Sequence, residues 1–321
     1  MQTVLITGGA GFVGSHIARE LIKRYEKIVV LDNLSTGLRS NIPTSEKIIF
    51  VEGDLSDRNT VEQLFSIYRF HYIYHLGAIA SVAASIDDPL FTQQTNFQGT
   101  LNLLEAARKQ GIVNRFIFAS SAAIYGNEGT LPKKETTMIQ PQTPYAIDKF
   151  SSEQYVLAYH HLYGLPTTAL RFFNIYGINQ NPYSPYSGVI SIITKHFELK
   201  SKGENPTFTL FGSGQQTRDF VYVKDVVDAS LLVATSAAAV GKVFNVGTGK
   251  AISILDLIKI YEQISGYSLD LTYKEKRNGD IDHSYSDISL LASLGYKPRY
   301  SIEQGIREYW EEVSNRTLFP Q

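Results

Sequence analysis

The sequence contains no cysteine, so it can form neither structural disulfides nor thiolate metal sites. It also lacks an excess of either charge, since 30 Lys and Arg stand against 31 Asp and Glu, for a formal net charge of −1 at pH 7. That balance gives no general attraction to nucleic acid or to an anionic membrane. No apolar run approaches the roughly 20 residues that a transmembrane helix needs, and a signal peptide is lacking. We therefore expect a soluble cytoplasmic protein.

The first half of the sequence alternates short apolar runs with amphipathic stretches. The apolar runs predict strands at Val4–Thr7, Ile28–Asp32, Ile48–Glu52, Tyr72–Leu76, Phe116–Ser120 and Thr167–Arg171. The amphipathic stretches predict helices at Val13–Arg24, Asp57–Tyr68, Thr92–Gln110 and Tyr145–Tyr163. This alternation predicts an α/β fold of the Rossmann type, a doubly wound parallel sheet with helices on both faces.

The pattern changes after Asn174, where Gly, Pro, Ser, Asn and Tyr crowd into residues 177–188. Strands are predicted beyond this loop at Thr207–Phe211, Phe220–Val223, Lys242–Val246 and Leu269–Tyr273. Helices are predicted at Ile190–Lys200, Val226–Ser236, Ile254–Ser265 and Ile302–Ser314. We expect a Rossmann domain over 1–174 and a smaller mixed α/β lobe over 175–321, with segments at about 219–251 returning to the first domain.

A glycine-rich turn, Gly8-Gly-Ala-Gly11-Phe-Val-Gly14, joins the first strand to the first helix. Its glycines allow a tight turn and a close approach of the backbone to a pyrophosphate, which the N–H groups of the helix N-terminus then face. The second strand ends at Asp32, whose carboxylate can accept both ribose hydroxyls of adenosine and would repel a 2′-phosphate. Asp54, at the end of the third strand, can face the adenine. The motif therefore predicts NAD binding.

A second constellation predicts oxidation of an alcohol. Tyr145 and Lys149 follow Pro144 at i,i+4 spacing, which places both side chains on one helix face. Ser121 ends a strand at the sheet edge where such folds bind ligands. A free tyrosine has a pKa of about 10, and a nearby ammonium together with a positive nicotinamide favours the phenolate that serves as a base. The Ser121 hydroxyl can hold the substrate oxygen or relay the proton.

Further motifs run nearly end to end: His75-Leu-Gly-Ala78, Asn96, Ser120-Ser-Ala-Ala-Ile-Tyr-Gly126, Arg171-Phe-Phe-Asn-Ile-Tyr-Gly177, Thr217-Arg-Asp-Phe-Val-Tyr-Val223 and Arg277-Asn-Gly-Asp280. With the glycine turn and the Tyr-x-x-x-Lys pair, they resemble those of the extended short-chain dehydrogenases of the NAD-dependent epimerase/dehydratase type. The resemblance is greatest to the UDP-hexose 4-epimerases.

The resemblance implies which residues form the site. Those implied for NAD are Gly8, Gly11, Phe12, Val13, Asp32, Asn33, Ser35, Thr36, Gly37, Asp54, Leu55, Leu76, Ala78, Ala80, Asn96, Tyr145, Lys149 and Phe173. Those implied for a UDP-sugar are Ser81, Ser121, Tyr145, Asn174, Val189, Arg218, Arg277 and Ser284. No metal is implied. A homodimer is implied, formed by the helices at Thr92–Gln110 and Tyr145–Tyr163.

The resemblance also implies a reaction in carbohydrate metabolism. Hydride leaves C4 of the hexose for NAD, the resulting 4-keto sugar turns over while its diphosphate stays held, and hydride returns to the opposite face. One departure is Ala80, where some hexose epimerases carry a lysine near the cofactor phosphates. Another family position, Ser284, lines the pocket near the C2 substituent. A small residue there implies UDP-GlcNAc and UDP-GalNAc as substrates, with UDP-Glc and UDP-Gal as a further pair.

Three alternatives stay open. A nucleotide-sugar dehydratase or decarboxylase places acidic residues just after the serine, where this chain has Ala122 and Ala123, which cannot exchange protons. A UDP-glucuronate 4-epimerase shares the same motifs. A non-catalytic dinucleotide sensor has no need of Ser121, Tyr145 and Lys149 together.

Overall fold

The computed structural model describes residues 2–180, 188–276 and 282–318. Its main sheet has seven parallel strands in the order β11-β6-β5-β4-β1-β2-β3. These strands are β1 (Thr3–Thr7), β2 (Lys27–Asp32), β3 (Ile48–Glu52), β4 (Tyr72–His75), β5 (Arg115–Ser121), β6 (Thr167–Phe172) and β11 (Lys242–Val246). The chain order reverses between β1 and β4, and ligands bind at such a switch point in open α/β sheets.

Both faces of this sheet are covered by helices, as the near-continuous burial of its strands requires. One face carries α1 (Phe12–Leu21) and α8 (Val223–Thr235). The other carries α2 (Arg58–Ile67), α5 (Gly99–Gln110) and α6 (Pro144–Tyr163). The predicted doubly wound Rossmann-type fold is therefore confirmed.

The second half of the chain builds a smaller mixed lobe. It contains β7 (Asn174–Tyr176), β8 (Thr207–Phe211), β9 (Thr217–Arg218), β10 (Phe220–Tyr222), β12 (Ile252–Ser253), β13 (Asp270–Lys274) and β14 (His283–Ser284). These strands form three small sheets, β10-β7, β12-β9-β14 and β13-β8. Its helices are α7 (Val189–Ser201), α9 (Ile254–Ser265), α10 (Ser289–Ala292) and α11 (Ile302–Leu318). Helices α7, α9 and α11 pack around an aromatic core in which Phe197 stacks on Tyr261 at 5.2 Å, whereas α10 packs on β11 of the main sheet.

The boundary between the two lobes is crossed by the chain. β11 pairs with β6 in the main sheet, and α8 packs on α1, although both follow β8 of the second lobe. Both elements fall in the stretch 219–251. We propose that the chain divides into a first domain over 1–174, to which this stretch returns, and a second lobe over 175–321. None of the helices within the described residues is long and apolar enough to cross a membrane.

The helix expected at Thr92–Gln110 differs from the structure. After α3 (Val82–Asp87), the chain forms α4 (Pro89–Gln93), then a π-helical turn at Gln94–Gln98, then α5. That turn contains Asn96, whose side-chain amide makes two hydrogen bonds to the main chain of Ile79. It accepts from the N–H at 2.7 Å and donates to the C=O at 3.2 Å. Propensity favours a continuous helix here, and this tertiary contact overrides it.

Candidate active site

A cavity of about 1410 Å³ runs along the carboxyl edge of the main sheet, over the switch point. Most of the residues predicted for the cofactor line it: Gly8, Gly11, Phe12, Val13, Asp32, Asn33, Ser35, Thr36, Asp54, Leu55, Leu76, Ala78, Ala80, Tyr145, Lys149 and Phe173. Ser81 and Ser121 line the same cavity. Neither Gly37 nor Asn96 is among its lining within the described part of the chain. Gly37 instead packs on the main chain of Ala10 in the glycine turn.

The glycine turn is closed by contacts that no side chain could enter. Gly8 has φ +68°, in the left-handed region, and a Cβ there would lie 2.7 Å from the backbone of Gly77. A Cβ on Gly14 would lie 2.2 Å from the Gly8 carbonyl. Gly11 stands at the N-cap of α1 and carries no side chain that could cap the first N–H groups. The turn therefore leaves these donors available to an anion such as a pyrophosphate.

Asp32 is held rigidly at the wall of the cavity. Its Oδ2 accepts from the Ala10 N–H and its Oδ1 from the Leu34 N–H, both at 2.9 Å. Each carboxylate oxygen keeps a further lone pair, so the group can still accept ribose hydroxyls. Burial acts to raise the pKa of nearby Asp54, but hydrogen bonds from Ser56 and Asn33 outweigh it and hold that pKa below its usual range.

A buried histidine connects the β4 end of this site to the π-helical turn. Thr100 donates its hydroxyl proton to the Asn96 carbonyl at 2.6 Å, so it accepts from His75 Nε2–H at 2.8 Å. His75 Nδ1 then accepts from Thr7, which in turn accepts from the Gly77 N–H. Burial lowers the pKa of His75 to about 3, which keeps the ring neutral. Asn96 thus positions the loop after β4 through Ile79, rather than facing the cavity.

Tyr145, Lys149 and Ser121 come together at one wall of the cavity. Pro144 opens α6 and the Thr143 hydroxyl caps it, accepting from the Ala146 N–H at 3.3 Å. Burial raises the pKa of Tyr145 above its usual value, and a hydrogen bond with Ser121 offsets part of this rise. Lys149 Nζ donates to the Ala119 carbonyl of β5 at 2.9 Å. Burial lowers the pKa of Lys149 to about 8, against the opposing influence of Asp148.

A buried ion pair supports the strand that carries Ser121. Glu153 accepts from the Ser120 hydroxyl at 2.7 Å and from both Nε and Nη2 of Arg171, at 3.0 and 2.7 Å. Arg171 also donates to the Tyr125 hydroxyl at 2.9 Å, and Tyr125 donates to Asn245 at 2.7 Å. This network joins α6, β5, β6 and β11 directly below the catalytic edge.

A second cavity of about 460 Å³ lies in the smaller lobe, between α7 and β8. Asn174, Val189 and Arg218, all predicted for the substrate, line it. Ser284 pairs with Arg218 in the β9–β14 ladder and is half-buried, but it lines neither cavity within the described residues. Arg277, also predicted for the substrate, lies outside the described residues.

Asp219 connects the elements around this second cavity. Its buried carboxylate accepts from the N–H and hydroxyl of both Thr248 and Ser286, and from the Gly249 N–H. Its carbonyl accepts from the backbone and side-chain amides of Asn174, both at 3.1 Å. Asn174, the loop after β11 and the segment at Ser286 are therefore all hydrogen-bonded to Asp219, the residue next to Arg218.

The sequence assigned no role to four residues: His196, which lines the second cavity, and the buried Asp148, Glu153 and Asp219. Glu153 carried a signal, because it stands four residues after Lys149 on the same helix face. Asp148 is buried beside Lys149, and this burial raises its pKa to about 6. The side-chain partners of Asp219 lie 29 to 67 positions away along the chain, which no local pattern could indicate.

The residues present fit a bound dinucleotide. The large cavity joins the free N–H groups of the glycine turn, the Asp32 carboxylate and the Tyr145–Lys149 pair in one space. Such a space holds phosphates at one point, a ribose at the next, and a redox ring beside a proton acceptor at its far end.

Comparisons with known proteins agree with this geometry. A family model described as the NAD dependent epimerase/dehydratase family matches residues 4–247. A putative UDP-glucose 4-epimerase from Methanocaldococcus jannaschii is 37% identical over 317 residues, covering 98% of this chain and 100% of that one.

Two solved structures are similar over nearly their whole length. A UDP-glucose 4-epimerase from Thermotoga maritima, solved with UDP-glucose, has a TM-score of 0.92 and 39% identity, covering 99% of this chain and 100% of its own. A UDP-N-acetylglucosamine 4-epimerase from Methanobrevibacter ruminantium, solved with UDP-N-acetylmuramic acid, has a TM-score of 0.90 and 36% identity, covering 98% and 99%. With its glycine turn, Asp32 and Tyr145–Lys149 pair, the chain belongs to the NAD dependent epimerase/dehydratase family.

Proposed function

We propose that the protein inverts the C4 hydroxyl of a UDP-linked hexose with bound NAD. The observation that carries the proposal is the meeting of Ser121, Tyr145 and Lys149 at the wall of the cavity that begins at the glycine turn. The second cavity, with Arg218 and Asn174, supports a site for the nucleotide diphosphate, because a guanidinium suits bidentate contact with phosphate. The similar proteins described as 4-epimerases support the same reaction.

Each catalytic side chain has a separate task in this proposal. NAD, when bound, supplies the group that accepts hydride from C4 and returns it. Tyr145 Oη takes the proton of the C4 hydroxyl and gives it back after the sugar has turned over. Ser121, which bonds Tyr145, holds the same sugar oxygen. Lys149, fixed to the Ala119 carbonyl, supplies positive charge that favours the phenolate.

The composition of the cavity favours epimerisation of an uncharged hexose over elimination of water and over epimerisation of a glucuronate. Elimination of water needs a proton donor and acceptor beside the sugar, and Ala122 and Ala123 occupy the turn after Ser121. A glucuronate carboxylate favours cationic surroundings, yet the described charged residues of the cavity include Asp87, Asp88 and several further acids. The described cations are Lys149 and Lys202, and Lys202 is paired with Glu198.

A direct assay tests the proposed reaction. The purified protein, with no added cofactor, is incubated separately with UDP-Glc, UDP-GlcNAc and UDP-GlcA, and products are resolved by NMR. We expect the C4 epimer of at least one hexose and NAD in the supernatant after denaturation. Loss of water from the sugar would identify a dehydratase instead. Bound NAD without turnover of any sugar nucleotide would favour the dinucleotide sensor.

We propose UDP-GlcNAc and UDP-GalNAc as substrates, with UDP-Glc and UDP-Gal as a further pair. The support is the family resemblance at Ser284, a small residue that pairs with Arg218 in the β9–β14 ladder. Ser284→Tyr should depress kcat/KM selectively for the N-acetylated pair, because overpacking costs roughly 1–3 kcal/mol, about 5- to 150-fold. His283→Tyr is the matched control, since adjacent strand residues face opposite ways. An equal loss on both pairs would remove Ser284 from substrate selection.

We also propose a homodimer, formed by α4–α5 and α6 of each protomer. These helices expose large apolar side chains. Leu90 on α4 is 81% exposed and Leu162 on α6 is 71% exposed, and Ile147 and Tyr155 are further exposed apolar side chains of α6. Two helices from each protomer can bury this surface in a four-helix bundle about a twofold axis.

The oligomer is tested by one substitution on that surface. Leu162→Arg should give monomers in sedimentation velocity, because a charge at a buried apolar contact is costly. Ile67 on α2 is as exposed as Leu162 and lies outside the proposed interface, so Ile67→Arg should leave the dimer intact. A dimer that survives Leu162→Arg would contradict this choice of helices.

A further inference from the structure

Arg218 lies in the middle strand of a sheet that is too short to hold itself together. The sheet has the order β12-β9-β14, and each of its strands has two residues. Arg218 pairs with Ile252 on one side and with Ser284 on the other. Strands in globular proteins usually have roughly 3–10 residues, so this sheet needs support from outside its own ladder. The position of Arg218 at the second cavity therefore depends on further contacts.

The carboxylate of Asp219 supplies this support. Its Oδ1 accepts from the N–H and the hydroxyl of Thr248, at 2.8 and 2.6 Å. Its Oδ2 accepts from the Gly249 N–H at 3.0 Å, and from the N–H and the hydroxyl of Ser286, at 3.1 and 2.5 Å. Thr248 and Gly249 precede β12, whereas Ser286 follows β14. One fully buried carboxylate thus joins both outer strands to β9, and these four residues form the Asp219 cluster.

The main chain of Asp219 connects the same sheet to β7. Its carbonyl accepts from the backbone N–H and from the side-chain amide of Asn174, both at 3.1 Å. Asp219 is therefore bonded to Asn174 and adjacent to Arg218, the two polar residues that the proposed function assigns to the nucleotide diphosphate. The inference that follows rests on that proposed function, because it takes the second cavity as the place of the nucleotide.

We propose that Asp219 is a positioning residue for the nucleotide diphosphate. It lines neither cavity within the described part of the chain, so it acts through Arg218 and Asn174. By joining the three strands, the Asp219 cluster holds these two side chains in place before the nucleotide arrives. Groups that are already ordered bind a ligand more tightly, because binding need not order them. Loss of the cluster should therefore lower the affinity for the nucleotide.

The catalytic wall has supports of its own. The Glu153 ion pair holds the strand that ends there. The connection from β5 to α6 is attached at Lys133, whose N–H donates to the Tyr285 carbonyl at 2.9 Å and whose carbonyl accepts from the Asp287 N–H at 2.7 Å. Neither set of contacts passes through Asp219. A change at Asp219 should accordingly leave kcat close to the wild-type value.

The experiment replaces Asp219 by asparagine, which has nearly the same shape. Each carboxylate oxygen of Asp219 faces at least one main-chain N–H, which cannot become an acceptor. Whichever way it turns, the amide NH₂ of Asp219→Asn meets such a donor. The ordered arrangement should be less populated, and the observed affinity falls with that population. We expect UDP to bind about 10- to 100-fold more weakly in titration calorimetry on the full-length, NAD-bound protein.

Asp225→Asn is the matched control. Asp225 is also fully buried, and its two carboxylate oxygens accept from the N–H groups of Arg299 and Tyr300, at 2.9 and 3.3 Å. It lies on α8 and lines neither cavity within the described residues. Both variants should lower the midpoint of urea denaturation, because each leaves a buried donor unpaired. Asp225→Asn should nevertheless keep the wild-type affinity for UDP.

Kinetics on the substrate pair distinguish positioning from general damage. Asp219→Asn should raise KM while kcat is retained, and both variants should keep their bound NAD. Thr248→Val keeps the shape of that side chain and removes the hydroxyl that donates to Asp219. It should weaken UDP in the same direction by a smaller factor, and it replaces Asp219→Asn if that variant does not fold.

Four results would overturn the inference: unchanged UDP affinity in the variant of the cluster, an equal loss in Asp225→Asn, a fall in kcat at constant KM, or no binding of UDP by the wild type. The turnover assay on UDP-sugars is separate from these titrations. A UDP loss confined to the cluster, without epimerisation of any sugar, would refute the proposed function and leave the role of Asp219 standing. Epimerisation with unchanged UDP affinity in Asp219→Asn would do the reverse.

Discussion

Tyr145→Phe should lower kcat by roughly 10²–10⁴-fold, with little change in the affinity for the nucleotide sugar. In the proposed mechanism the phenol oxygen at the cavity wall is the proton acceptor, and phenylalanine keeps the ring while removing that oxygen. Because the proton moves in the transition state, its loss affects kcat rather than binding. Steady-state kinetics on the substrate pair and calorimetry with UDP separate the two quantities.

The control is another tyrosine of the same helix. Tyr155 is 42% exposed on α6, and Tyr155→Phe should retain wild-type kcat. Near-full activity of Tyr145→Phe would contradict the assignment of the base. A parallel loss of kcat and UDP affinity would instead indicate damage to the fold around α6.

The electrostatics of Tyr145 explain why this base needs its surroundings. Burial raises its pKa above the usual value of about 10, and the Ser121 hydrogen bond recovers only part of that rise. The protein alone therefore keeps the phenol protonated at neutral pH. In the proposed mechanism, the base would become competent when an oxidised nicotinamide adds its positive charge to that of Lys149. Proton transfer would thereby be coupled to the presence of the hydride acceptor.

The parts of the site that the sequence could predict are those with local signals. The glycine turn, Asp32 and the Tyr145–Lys149 pair each lie within one strand–turn–helix unit, where spacing alone determines which side chains meet. The main sheet was predictable for the same reason, because strand–helix alternation admits few topologies.

The parts that escaped prediction depend on long-range contacts. Asp219 lies in the Thr217–Val223 motif, but its carboxylate bonds residues 29 to 67 positions away, and the motif does not indicate these partners. The amide of Asn96 bonds Ile79 across 17 residues, which a π-helical turn makes possible, and the expected contact of Asn96 with the cofactor stays a prediction. A polar residue in an amphipathic pattern carries no mark of which partner will satisfy it once it is buried.

Glu153→Ala should lower the free energy of unfolding by about 3–5 kcal/mol, because it removes one partner of a buried ion pair. Glu153 and Arg171 are almost fully buried, and the substitution leaves the guanidinium without a counter-ion and the Ser120 hydroxyl without its acceptor. The loss should appear as a lower midpoint in urea denaturation, measured at one fixed protein concentration because dimerisation would contribute to stability.

Two comparisons distinguish the buried pair from an ordinary surface contact. Glu62→Ala removes the exposed Arg58–Glu62 pair of α2 and should leave the free energy of unfolding nearly unchanged, because solvent screens an exposed pair. The double variant Glu153→Met with Arg171→Met should recover much of the loss, since replacing both buried charges with apolar groups is often neutral. If Glu153→Ala costs no more than Glu62→Ala, the network below Ser121 does not stabilise the fold. If the double variant is stable but has lower kcat than wild type, the network serves mainly to position Ser120 and Ser121 at the catalytic edge.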